Sequence, residues 1–229
     1  MCSLAGKTVA DPEQLFRSTL LNTIAFDNSL DELERLVESG QYKVSNWTVC
    51  GVYQFGIEAR RHLVLARSSG VDFAAFDSSV SRGERRLNEL VRRRDALLAQ
   101  LGPEGVNRCL LQELTLTVRG YRNKLSLMRR FRAEIGREEF DEYQRADLLS
   151  DLEAFWRRDR AHLVLPILPA NRKKMALKRD LAETDEVLRQ HGPDLFGPSL
   201  LDGRIQELRS ASFVPRERWW WYLDEVQQQ

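Results

Sequence analysis

Three histidines and three cysteines are the side chains best suited to nucleophilic, acid–base or metal chemistry, and the sequence scatters them. Cys2, Cys50 and Cys109 form no CxxC pair and no cluster with His62, His162 or His191. Neither a zinc site nor a disulfide framework is therefore expected. Glu58 and His62 stand four residues apart, which on a helix would turn both toward one metal ion, but a di-iron bundle needs Glu-x-x-His twice. Ala5-Gly6-Lys7-Thr8 lacks the upstream glycine of a phosphate loop. No Ser/His/Asp or Cys/His arrangement stands out, so no metal, cofactor or small-molecule ligand is expected.

One pair has a spacing of catalytic interest. Arg157 and His162 are separated by four residues, an Arg-x4-His pattern that resembles the motif of HEPN-family ribonucleases. The resemblance implies an antiparallel helical bundle, usually dimeric, in which Arg157 and His162 would act on an RNA 2′-hydroxyl and scissile phosphate without a metal. Arg158 follows Arg157 where that family typically has a polar residue, often Asn or Asp.

Charge is a stronger signal. Between Arg82 and Arg132 there are 13 Lys or Arg and 5 Asp or Glu. The dense points are Arg92, Arg93 and Arg94, and then Arg129, Arg130 and Arg132. Arginines gathered at one end of a helical pair suit nucleic-acid phosphates or an acidic protein. The stretch from Glu138 to Asp159 carries 8 acids and 3 bases, so neutralisation of the basic patch by a neighbouring helix is the competing expectation. Near the end of the chain, Trp219, Trp220, Trp221 and Tyr222 are consecutive. Four successive aromatics on a helix point all the way round it, which suits a partner or self-association contact or a clasp that closes the bundle on itself.

The elements that must position these groups read as all-α. The 229 residues are 42% hydrophobic and 30% charged with a net charge of +1, a composition that can build a core. Arg outnumbers Lys, 29 to 6, which fits a codon bias as well as it fits phosphate recognition. The opening residues resemble no secretory signal, and no stretch is apolar enough to span a bilayer. A cytoplasmic location follows as the expectation, and Asn46-Trp47-Thr48 is then a chance match to a glycosylation acceptor. A domain split near Gly70 would give an N-terminal helical subdomain, 1–70, and a main bundle, 71–229.

Capping signals mark the helices. Asp11-Pro12 opens the first, Asp27-Asn28 breaks it, and Ser29 with Glu32 caps a short second one that ends at Gly40. Residues 42–65 mix strand-like Val, Trp and Tyr with helical residues; helix through Ala66 is preferred, with a small β element in 42–57 as the alternative. Ser81 with Glu84 caps a long helix whose Leu87, Leu90, Val91, Leu97, Leu98 and Leu101 form an apolar stripe. Gly102-Pro103 interrupts it, and Leu110, Leu114, Val118, Tyr121, Leu125, Met128 and Ile135 continue at alternating spacings of four and three. Two such arms predict a long antiparallel hairpin over about 81–135. Beyond Gly136 a helix over 137–162 is expected to turn Phe140, Tyr143, Leu149, Leu152 and Trp156 inward. Leu163–Pro169 reads as a buried extended link, and a helix from Asn171 to Gln190 ends at Gly192-Pro193. Short helices near 199–210 and from Pro215 close the chain.

A non-catalytic helical interaction or scaffold protein, binding a protein partner or itself, is the function these features favour. A nucleic-acid-binding protein and a HEPN-like ribonuclease are the alternatives.

Overall fold

The computed structural model describes residues 12–40, 48–68, 77–146, 148–197 and 203–226, and every regular element among them is helical. Helix α1 spans Pro12–Ser39, α2 Thr48–Ser68, α3 Asp77–Ile135, α4 Arg137–Ala146, α5 Leu148–Val164, α6 Arg172–Leu195 and α7 Arg204–Ala211. Single turns at Leu165–Ile167, Trp219–Tyr222 and Leu223–Val226 complete the chain. None of the described helices is long and apolar enough to cross a membrane. One set of buried apolar side chains runs from Phe26 and Leu30 through Leu110 and Leu114 to Trp220 and Leu223.

Helices α1 and α2 form an antiparallel pair, with Asn22 beside His62, Phe26 beside Gly56 and Ser29 beside Gly51. The two glycines explain why strand-like residues fold as helix. A Cβ on Gly56 would lie 3.2 Å from the Phe26 ring, and one on Gly51 would lie 3.1 Å from Ser29 Oγ. Tertiary packing thus overrides the helix-weakening propensity of Gly. The β alternative is overturned from Thr48 to Ile57, while 42–47 lie outside the described residues. Helix α1 also runs unbroken through Asp27-Asn28. Ser29 caps nothing: its hydroxyl donates to Ala25 O at 2.8 Å, a bond internal to the helix.

The start of α2 is held from a distance. Glu113, fully buried on α3, accepts from Val49 N at 3.1 Å and from Cys50 N at 2.6 Å. These amides have no partner within the helix, and a carboxylate at a helix N-terminus also meets the positive end of its dipole.

Helix α3 has two arms that meet at Gly102, whose φ of 72° is open to Gly at no steric cost. The expected apolar stripe is buried at Leu87, Leu90, Leu97, Leu110, Leu114, Val118, Tyr121, Leu125 and Met128. What the structure documents at Gly102 is a kink between two helices. Arg86 and Arg93 on the first arm reach Asp27, Asp31 and Glu34 of α1. On the second arm Tyr121 and Arg122 reach Asp185 and Glu183 of α6, and Gly120 receives Arg157 of α5.

Past Gly136 the single expected helix is two, α4 and α5. Phe140 and Leu152 are buried as expected, but Tyr143 and Trp156 are exposed. The inward face of α5 is instead formed by Phe155, Arg158 and Asp159, one turn-phase away, because polar residues there have buried partners. The side chain of Leu149 lies outside the described residues. The Leu163–Pro169 link is extended only at its end: α5 continues to Val164, Leu165–Ile167 make a tight 3-10 turn, and Leu168 leaves it in an extended conformation. Asn171 caps α6 through Lys174 N at 2.8 Å, and α6 passes Pro193 to end at Leu195.

Replacing Glu113 with Ala strands two buried amides and should lower the unfolding free energy by about 3 kcal/mol. Glu113→Gln, which keeps an acceptor, should recover part of that. Urea denaturation of both variants checks this; equal stability of Glu113→Ala and wild type would remove Glu113 as the cap.

Candidate functional site

The polar face of α5 is covered by residues 212–226, which return to the middle of the molecule. Arg61 of α2 holds the start of this segment, donating to Phe213 O at 2.6 Å and Ser212 O at 3.2 Å. His62 Nδ1 accepts from Asn22 Nδ2 at 3.0 Å, and Nε2 lies 3.0 Å from Ser212 O and 2.9 Å from Arg61 Nη2. That pattern requires the neutral ring. Burial and the adjacent Arg61 guanidinium agree, since both hold its pKa below the ordinary histidine value. Phe213 sits at φ 49°, a conformation unusual for a side-chain-bearing residue, under these restraints.

The centre of the site is Arg218, itself buried. It pairs with Glu58 of α2 and lies 3.7 Å from Asp159 of α5. Asp159 also accepts from Trp220 Nε1 at 3.0 Å and from Trp221 Nε1 at 3.1 Å. Arg61 Nε completes Glu58 at 2.8 Å. Burial raises the Glu58 pKa, but Arg218 and Arg61 outweigh it and leave the carboxyl below its ordinary value. At Asp159 burial dominates. Arg218 and the two indoles oppose it, and the pKa still stands at about 6.

A second buried pair adjoins the first. Arg158 makes a bidentate contact to Asp185 of α6, at 2.7 and 2.8 Å, and its guanidinium lies 4.1 Å from the Trp220 ring centroid. Tyr121 donates to the same carboxylate at 3.2 Å, and burial with Asp185 nearby keeps the phenol protonated.

The consecutive aromatics are therefore divided between buried and partly exposed positions. Trp220 and Trp221 are buried on Asp159, as an intramolecular clasp. Trp219 and Tyr222 are partly buried, under Arg189 at 4.3 Å and between Arg209 at 4.4 Å and Arg216 at 4.5 Å.

Arg157 and His162 are not brought together. Five positions apart on a helix, they project about 140° from one another. The Arg157 guanidinium rests on Gly120 of α3 and bonds Glu153 at 2.9 Å. His162 packs edge-on against Trp220 at 5.4 Å. The arginine clusters are likewise divided. Arg93 is enclosed by Asp27, Asp31 and Glu34, Arg94 pairs with Asp95, and Arg132 reaches Asp194 at 3.4 Å. Arg129 and Arg130 are exposed and, among the described residues, meet no carboxylate; neither does Arg92. Arg129, Arg132, Arg137 and His191 line a recess of about 340 Å³. Several acids on α4 and α5 are engaged elsewhere: Asp141 by Arg137, Glu153 by Arg157 and Asp159 by Arg218.

Cys50 and Cys109 are buried, and burial beside Glu113 raises the Cys50 pKa well above that of a reactive thiol. Among the described residues no group of three or more His, Cys, Asp or Glu could hold a metal ion. Sequence reasoning passed over Glu58, Asp159 and Arg218 as a set. The available signal was that buried indoles need an acceptor, and Asp159 is a carboxylate one turn from Phe155 on the buried face of α5.

The raised Asp159 pKa has a definite sign. The folded chain binds this proton more tightly than the unfolded chain, so the carboxyl favours folding below about pH 4 and that contribution fades as pH rises to about 6. Relative to Asp159→Asn, the wild type should lose about 2 kcal/mol of stability between pH 4 and pH 7. The shared His62 and His162 effects cancel in this difference. Paired urea titrations measure it, and a difference that stays flat with pH would refute the assignment. No known protein family, curated protein or solved structure matches this chain.

Proposed function

We propose that this chain is a non-catalytic helical scaffold that holds another macromolecule on its outer faces and pairs with a second copy of itself. The observation that carries this is the outside of α1. Leu20, Leu21 and Ile24 are 50%, 66% and 48% exposed on successive turns. Scattered apolar residues on a surface are ordinary, but large aliphatics gathered on one face mark an interaction site.

The groups with most capacity for chemistry support the same view by their placement. Glu58, Asp159, Asp185, His62 and Tyr121 each have a partner that fixes or neutralises them inside the bundle. Complete burial of one aliphatic side chain is worth about 1.5–3 kcal/mol. Covering the exposed part of three gives roughly 3 kcal/mol, so association through this face alone is weak and grows with adjoining surface.

Light scattering over a rising series of protein concentrations tests the proposal. Wild type should move from monomer toward dimer mass, and the Leu21→Glu/Ile24→Glu double variant should remain monomeric with unchanged helical circular dichroism. Wild type that is monomeric at every concentration, or a double variant that dimerises equally well, would exclude α1 as the self-contact.

A further inference from the structure

The second arm of α3 carries a row of cations that no part of the bundle uses. Arg108, Arg119 and Arg130 are each exposed, and none meets a carboxylate among the described residues. They are eleven residues apart, a repeat close to three whole helical turns, so they stay on one face with only slow drift. Each step is about 16 Å along the axis and the row is about 33 Å long. Between them the other exposed residues are Gln112, Arg122, Asn123, Ser126, Leu127 and Arg129. Exposed Glu104 and Glu134 bound the row at its two ends.

The flanking helices do not cancel this charge. On the α5 side, Glu153 is held by Arg157 of its own helix. On the α6 side, Arg122 reaches Asp180 at 3.7 Å and Glu183 at 3.3 Å. From residue 105 to 133 the chain has seven Lys or Arg and a single acid. That acid is Glu113, fully buried on the other side of the helix. The first two turns of α6, residues 172–179, add five more cations and no acid. The two helices lie side by side, since Leu111, Thr115 and Leu116 share a groove with Lys173, Ala176 and Leu177.

We infer that this face of α3 binds the phosphate backbone of a nucleic acid, with Arg108, Arg119 and Arg130 as the contacting side chains. Amide and hydroxyl groups interleaved with arginine are the groups that bond phosphate and sugar oxygens. An interface for an acidic protein would be centred on buried aromatic or aliphatic anchors. Here Leu127 stands within the row and the aliphatic groove of Leu111, Leu116, Ala176 and Leu177 lies at its α6 border, while the row itself is cationic and polar. Trp156, 46% exposed, precedes the arginine that rests on Gly120. It is an exposed aromatic surface on the neighbouring helix, of the kind on which unpaired bases stack. The inference names the macromolecule that the scaffold proposal leaves open and rests on that proposal only in placing recognition outside the bundle.

Fluorescently labelled oligouridylate and oligothymidylate, titrated against the full chain at several salt concentrations, test it. Three phosphate contacts to a single strand give a slope of log K against log salt of about −2. The variant Arg108→Gln/Arg119→Gln/Arg130→Gln should lose most of that slope and roughly tenfold or more in affinity at low salt. A control of equal charge loss, Arg35→Gln/Arg60→Gln/Arg85→Gln, should retain both. RNA and DNA binding alike support a backbone site. Absence of binding at low salt, equal weakening by the control, or equally tight binding of labelled polyglutamate would each overturn the inference. Leu21→Glu/Ile24→Glu should bind the oligonucleotides as wild type does, so failure of self-association through α1 and failure of the arginine row are read separately.

Discussion

A guanidinium removed from water is tolerated only where its counter-charges and hydrogen-bond acceptors are already in place, and Arg218 finds them on two different helices. Glu58 comes from α2 and Asp159 from α5. Stripping such ions of water costs several kcal/mol each, and the cost is offset only if every member arrives. The two indoles that share Asp159 belong to the same segment as Arg218, so charge pairing and apolar burial occur in one docking event. The rest of the bundle is arranged around this point. Helix α1 attaches to α2 across its glycines, α3 secures the start of α2 through Glu113, and α6 joins α5 through Asp185.

Apolar periodicity made the helices of α3 legible from the sequence. Leu110, Leu114, Val118, Tyr121, Leu125 and Met128 are all buried, as their spacing requires. The all-α class follows from the same kind of pattern. What spacing does not encode is which neighbour approaches closely. Gly51 and Gly56 weaken a helix in isolation and allow one here because Ser29 and Phe26 occupy the space a side chain would fill. The same limit misplaced the inward face of α5, where Trp156 looks like core and Asp159 does not. A charged residue becomes core only when a partner distant in sequence neutralises it. Asp159 has Arg218 and two indoles, whereas Trp156 is 46% exposed.

The surplus of arginine over lysine has a structural counterpart, whatever its genetic origin. Arg158 makes two bonds to Asp185 while its plane lies over Trp220, and Arg61 serves Glu58 and two carbonyls at once. A lysine ammonium has no fork to do either. Arginines on the inside are thus matched with acceptors, Arg158 Nη1 and Arg218 Nε excepted, whereas Arg108, Arg119 and Arg130 on the second α3 arm present the same fork and meet no carboxylate among the described residues. One residue type therefore supplies both the internal cross-links and the outward charge.

The long reach of Arg218 also sets the order of events on the ribosome. Glu58 is made 160 residues before the guanidinium that neutralises it. At translation rates of about 5–20 residues per second, on the order of ten seconds separate their appearance. During that interval α2 carries Glu58 on a face meant for the interior, and over its last 59 residues Asp159 of α5 does the same with its indole-binding surface open. Docking of residues 212–226 onto α2 and α5 is therefore a late, long-range step of high contact order.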